Sequence, residues 1–402
     1  IVVLPFENIA RDSSNAFFAR GLHAAVMGEL SKVSGLAVLS RKTSLKMADS
    51  DLTPIEIGRR RDADAILEGS VRRDGEQLRM TARLIEAESD EPLWSNTYAR
   101  RTGVDEIIDI QADLATKVAE ALETRLTDAE KARIEERPTS SIAAYDAFLR
   151  GRDHYEGRYW ETLTSAPIDS AVVWLRKAVR RDPDFAEAHA YLAEAYRQRA
   201  FFSHEEERWQ DSTRAALSRA RGIDPQVPEI HWVQGFLSLS EDSLQAAGKA
   251  FRRALDLQPS NAVACSGLAS LRKTQGRLAE AVTWAFRAYR LEPRRPFRFN
   301  EMGGLLASVG MLDAAEAWQR RALSVNRDHL LSVAGLSWTR ARREPERGLE
   351  TIESFLERHP RNAEALRIAG RFALEAVRPQ RARDYLERIA EPKPRPSPDD
   401  FA

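Results

Sequence analysis

The chain has 402 residues, 43% apolar and 30% charged, and its 61 basic residues balance 61 acidic ones. That length suits two or three domains with ample core, and zero formal net charge excludes the basic excess by which a nucleic-acid binder displaces counterions. A single cysteine, Cys265, excludes a disulfide framework and a cysteine-based zinc site, and no apolar run approaches the roughly 20 residues of a membrane-spanning helix.

Ile1 to Phe6 reads as a buried strand from the first residue. No charged leader stands before it, so it is not a signal peptide, and the missing Met points either to a removed leader or, the preferred reading, to the C-terminal part of something longer. Apolar residues at helical spacing (Phe18, Leu22, Val26, Leu30, Val33) predict an amphipathic helix over Phe17 to Val33. Leu36 to Leu39 reads as a short strand, and Pro54 to Arg61 as a helix opened by proline. Ala65 to Arg72 and Gln77 to Ile85 read as a hairpin joined at Asp74-Gly75. Its second strand alternates Leu78, Met80, Ala82 and Leu84 against Gln77, Arg79, Thr81 and Arg83, which gives a sheet one apolar face. A strand over Leu93 to Tyr98 and a helix over Val104 to Arg125 complete the order βαβαβββα. This is an α+β or α/β domain over residues 1–130.

Past Arg137-Pro138 the texture becomes helical and repetitive. Gly235, Ala247, Phe251, Ala254 and Pro259 follow one another at steps of 12, 4, 3 and 5. The same steps recover Ala269-Ala281-Ala285-Ala288-Pro293, Gly303-Ala315-Gln319-Ala322-Arg327 and Gly370-Ala382-Leu386-Ile389-Pro394. Insertions relate Gly151, Ala193 and Gly335 to further copies. Steps of 4 and 3 lay three small or apolar residues on one helical stripe. The isolated small residue marks a close crossing on the preceding helix, and the proline ends the second helix. A 34-residue helix–turn–helix period of this kind is the tetratricopeptide repeat. About seven units fill residues 140–394, an all-α right-handed solenoid, before a Pro-rich tail over residues 395–402.

The first part also resembles the bacterial TolB N-terminal-like (FlgO-like) family. The resemblance rests on Val3-Leu4-Pro5-Phe6-Glu7-Asn8, Phe17-Phe18-Ala19-Arg20-Gly21-Leu22, Ile57-Gly58-Arg59-Arg60, Ala63 to Arg72 and Leu93-Trp94-Ser95. It implies a non-catalytic region, which in such proteins follows a cyclase, a winged-helix regulator or a Ser/Thr kinase. The composition fits both the bacterial cytoplasm and the periplasmic side of the inner membrane, and the sequence does not choose between them.

No phosphate-binding glycine loop, metalloprotease motif or nucleophile elbow occurs, and the seven histidines are scattered. The sequence therefore predicts no enzyme, cofactor or metal. What remains is the wall made by the first helix of each repeat, where residues a turn either side of the small residue project. Glu194, Arg197, Trp232, Phe236, Lys273, Asn300, Arg340, Arg367 and Arg371 are the candidate lining. Trp232 with Phe236 would form an aromatic patch, and Arg367 with Arg371 a carboxylate or phosphate clamp. The expected partner is a protein or peptide, with no nucleic acid and no membrane span. Self-assembly into oligomers or fibres is the alternative. The loop after Glu7-Asn8 and the run Arg59-Arg60-Arg61 are lesser candidates for a ligand.

Overall fold

The computed structural model describes residues 1–9, 13–39, 44, 53–61, 63–101, 103–159, 165–200, 206–293 and 295–390. Two compact units divide it, Ile1–Arg294 and Arg295–Ala402. The change of texture near Arg137 falls inside the first.

The first unit begins with a mixed sheet. Strands β1 (Val2–Val3) and β2 (Glu7–Asn8) both run parallel to β3 (Ala65–Asp74), which continues antiparallel into β4 (Gln77–Glu86) and β5 (Pro92–Arg101). The single opening strand expected over Ile1 to Phe6 is broken at Leu4-Pro5, because proline has no N–H to give the ladder. No strand forms over Leu36–Leu39; Leu39 makes one backbone bond, to the Ile1 carbonyl at 3.1 Å. The hairpin turn is one residue later than expected. Asp74 pairs with Gln77, and Gly75 has φ +56° while Glu76 is not left-handed. Positive φ at the first turn position alone is the II′ pattern, which favours glycine there.

Leu78, Met80, Ala82 and Leu84 are buried to 1% or less, while Gln77, Arg79 and Thr81 are exposed. Helices α1 (Ser13–Ser31) and α3 (Val104–Ala121) share the core that covers this apolar face, whereas α2 (Pro54–Arg61) belongs to a smaller cluster around Ile57, Ile66 and Ile85. Helix α4 (Asp128–Ile134) opens with a capping box between Thr127 and Glu130.

Helix pairs follow. In the first unit they are α5 (Ile142–Arg152) with α6 (Ser165–Arg181), α7 (Ala186–Ala200) with α8 (Glu206–Ile223), α9 (Pro228–Ser240) with α10 (Leu244–Leu257), and α11 (Ala262–Thr274) with α12 (Leu278–Leu291). The second unit holds α13 (Pro296–Ser308) with α14 (Leu312–Val325), α15 (Leu330–Ala341) with α16 (Pro345–Arg358), and α17 (Ala363–Glu375) with α18 (Pro379–Ala390). Among the described residues these make seven pairs. A π-helical stretch, Asp153–Tyr159, prolongs α5, which the repeat pattern did not foretell.

The stripes read from the sequence are the seams of these pairs. Ala171, Leu175 and Ala178 are fully buried, as are Ala247, Phe251 and Ala254, and Ala281, Ala285 and Ala288. A Cβ on Gly151 would lie 2.5 Å from Leu175, and one on Gly303 would lie 2.7 Å from Gln319, so each crossing demands the absence of bulk. The last stripe departs: Leu386 is 56% exposed and Tyr385 is buried instead. In the first unit one hydrophobic core runs from Ile1 and Val3 through the sheet to Leu268 and Leu271 of α11.

Candidate partner-binding surfaces

The first helices place the candidate residues in different environments. In α7, Glu194 is 1% exposed and saturated with donors. Tyr155 Oη donates to it at 2.8 Å, Gln198 Nε2 at 2.7 Å, and Arg197 Nε and Nη2 at 2.7 and 2.8 Å. The Arg197 guanidinium also lies 5.0 Å over the Phe236 ring, which packs edge-on against Phe251 at 5.0 Å. Glu194 and Arg197 therefore serve each other first. The aromatic patch is corrected: Trp232 is 3% exposed and belongs to the core, leaving Phe236 half-buried beside it. Lys273 is exposed near the end of α11.

In the second unit, Asn300 is turned into the seam between α13 and α15, where its side chain crowds Gly335. Arg340 leaves the first-helix wall, donating to Glu316 from Nε at 3.0 Å and Nη2 at 2.9 Å, and to Thr351 from Nη1 at 2.9 Å. The Arg367 and Arg371 side chains do not converge on a common point. Arg367 pairs with Glu364 at 2.8 Å and Arg371 with Glu375 at 3.2 Å, both within their own helix. Arg371 also stacks 4.3 Å over Trp338, a residue the spacing argument missed. Trp338 stands on α15 three residues past Gly335, is 37% exposed, and meets Phe372 edge-on at 4.6 Å. Trp338 is thus held at the surface between a buried ring and a guanidinium.

A second feature also escaped the sequence. Where α1 meets the first helices of the repeats, Lys32 pairs with Glu29 at 2.8 Å and donates to the Arg133 carbonyl at 2.8 Å. The 6%-exposed Arg152 reaches Glu187 at 3.5 Å and Glu156 at 4.0 Å. Burial and the neighbouring Glu187 push the Glu229 carboxyl up to about 8, and burial also raises Glu187 and Glu29. Four carboxylates thus share two cations; separately, Ser260 Oγ donates to the Leu36 carbonyl at 2.8 Å. No sequence motif marks this cluster, because its members come from α1, α5, the π-helical stretch, α7 and α9.

Cys265 is buried among Ala262, Ala288 and Leu291. Among the described residues no cluster of His, Cys, Asp and Glu has metal-site geometry, and no helix is long and apolar enough to cross a membrane. Glu7 is exposed in β2, but residues 10–12 of its loop lie outside the described residues, as does residue 62 beside the arginine run.

Helix pairs of this period, with small residues at the crossing, define tetratricopeptide-repeat architecture, and residues 340–400 match the tetratricopeptide repeat directly. Residues 1–117 match the second domain of HilA/YgeH-like transcriptional regulators. The chain is 32% identical over 193 residues to putative adenylate cyclase 3 of Rhizobium meliloti (strain 1021), covering 48% of this chain and 32% of that protein. It is 26% identical over 204 residues to a TPR repeat-containing protein of Pseudomonas aeruginosa, covering 49% and 33%. The chain therefore spans about a third of the length of these curated relatives. Similar solved structures include Pseudomonas aeruginosa PilF, at 21% identity and TM-score 0.38 over 51% of this chain and 90% of that one. The Cut9–Hcn1 hetero-tetramer of the APC/C is similar at 14% identity and TM-score 0.45, over 70% and 49%.

Proposed function

We propose that this chain is a non-catalytic, protein-binding regulatory module of a bacterial signalling or transcription-regulatory protein. It takes a peptide or protein partner on the first-helix wall of its repeats. The observation that carries this reading is the exposed Trp338 ring held under Arg371, since aromatic and Arg anchors dominate binding energy at protein interfaces. The match of residues 1–117 to a regulator domain and the likeness to a putative cyclase support the regulatory half. The TolB N-terminal-like reading of the same residues is kept as part of the proposal. Its Leu-Glu-Gly-Ser-Val-Arg run, Leu67 to Arg72, lies in β3, which takes strands on both sides.

Affinity capture with the intact chain tests the reading. Trp338→Ala and Arg371→Glu are expected to lose the same partner, while Arg79→Ala on the open face of the sheet retains it. A partner captured equally by all three contradicts it.

Self-assembly is favoured by a separate observation. Leu374, Val377 and Leu386 of the last described pair are 60%, 82% and 56% exposed, an apolar surface of the kind a second copy covers.

A further inference from the structure

All cationic residues of positions 295–390 are arginines, seventeen against thirteen acidic residues, in a chain that is neutral as a whole. Much of this excess gathers on the second-helix side, in the valley between α14 and α16. One end is a cleft of about 580 Å³ walled by Arg320, Arg321, Arg343 and Arg347, opposite Asp313 and Glu316. The neighbouring cleft, of about 270 Å³, carries Arg327, Arg340 and Arg358 beside Glu350, with Asp328 pairing to Arg327 at 3.6 Å and to Arg358 at 3.1 Å. Leu323, Val333, Leu336 and Phe355 give that second cleft an apolar floor.

Within the valley one carboxylate already shows how another would be held. Glu316 accepts from Arg320 Nη2 at 2.8 Å and from Arg340 Nη2 at 2.9 Å. Burial alone would raise its pKa, yet the Arg340 hydrogen bond and the surrounding guanidinium groups hold it below the ordinary glutamate value. Arg343 pairs in turn with Asp313 at 2.7 Å, and the two clefts still carry seven arginines against Asp313, Glu316 and Glu350 on their walls and Asp328 beside them. Arg320 lies on α14 and Arg327 seven residues on, in the turn that follows the helix, so the cations are strung out rather than focused on one point.

We propose that the valley between α14 and α16 docks an extended acidic segment of a protein, its carboxylates on the arginine walls and an apolar side chain on the Leu323–Phe355 floor. Spaced guanidinium groups with carboxylates between them suit discrete side-chain charges. A continuous phosphate backbone would meet Asp313, Glu316 and Glu350 as repulsion. The surface is distinct from the first-helix wall, so it goes beyond the function proposed above.

The test is fluorescence anisotropy of the full chain with a labelled twelve-residue peptide alternating Glu and Leu, at low ionic strength. Controls are the same peptide with Gln for Glu and a single-stranded oligonucleotide. The acidic peptide is expected to bind and the Gln peptide not to. Arg321→Glu combined with Arg347→Glu should weaken binding about tenfold, with the helical circular dichroism signal unchanged. Glu350→Arg should tighten it, an outcome that no loss of folding can imitate, and Trp338→Ala should leave it unchanged. Equal binding of the Gln peptide, no binding of the acidic one, or indifference to both the double reversal and Glu350→Arg overturns the proposal. Tighter binding of the oligonucleotide overturns it in favour of a nucleic-acid surface.

Discussion

Where α9, α10 and α11 meet, packing specificity comes from a single ring in a slot without side chains. Phe251 of α10 enters between Gly235 of α9 and Gly267 of α11, where a Cβ on either glycine would overlap the ring. Phe251→Ala is expected to cost about 3–5 kcal/mol as cavity and transfer terms add, and Gly235→Ala about 1–3 kcal/mol through overpacking. Urea unfolding measures both; losses below 0.5 kcal/mol at both sites would deny the slot. The sequence made this slot legible, because steps of 12, 4 and 3 cannot be met without placing the small residue against the stripe. It was less able to say which side chains beside the small residue reach solvent. Trp232 and Asn300 both stand three residues before a seam glycine; Trp232 is core and Asn300 fills the seam toward the following first helix. Arg367 stands at the same offset but in the last described pair, and is exposed. Trp338, on the other side of its glycine, was missed because the offset that exposes a residue depends on which neighbour stacks there.

At the scale of elements, α4 is fastened to the segment that follows α1 in the sheet-bearing part of the first unit. Its capping glutamate does two jobs, since Glu130 closes the box with Thr127 and also accepts the Ser34 backbone N–H at 2.7 Å. Burial would raise its pKa, but the Thr127 and Ser34 hydrogen bonds outweigh it and hold the carboxyl down at about 2. A carboxyl depressed on folding contributes stability above its unfolded value near 4.5 and loses it as pH falls toward about 2. Glu130→Gln should therefore flatten the acid limb of thermal stability, and Thr127→Ala should cost about 1 kcal/mol at neutral pH. An acid limb unchanged by Glu130→Gln contradicts this role. Neither α4 nor this fastening, which joins residues 96 positions apart, was read from the sequence.

Across the molecule's first unit, the shared carboxylates of Glu29, Glu156, Glu187 and Glu229 link the sheet-bearing part to the repeats at an electrostatic cost. A glutamate raised to about 8 on folding holds its proton more tightly in the folded chain, so stability falls as pH rises from about 4.5 to about 8 and then levels. Glu136, pushed up to about 7 by burial and Asp224, acts in the same direction. Glu229→Gln is expected to lessen the fall in melting temperature between pH 5 and 8; a curve parallel to the unaltered protein's would refute it. For assembly, light scattering against concentration decides: a constant mass at high concentration excludes end-to-end stacking through Leu374, Val377 and Leu386. The account as a whole depends on the first-helix wall holding another protein. Site-specific photo-crosslinking in cells tests that most directly, with a photoreactive residue at position 338 in the intact chain and a control at Arg79. The account predicts a discrete adduct with a second protein from position 338 and none from position 79. No adduct from 338, or the same adducts from both positions, would contradict it.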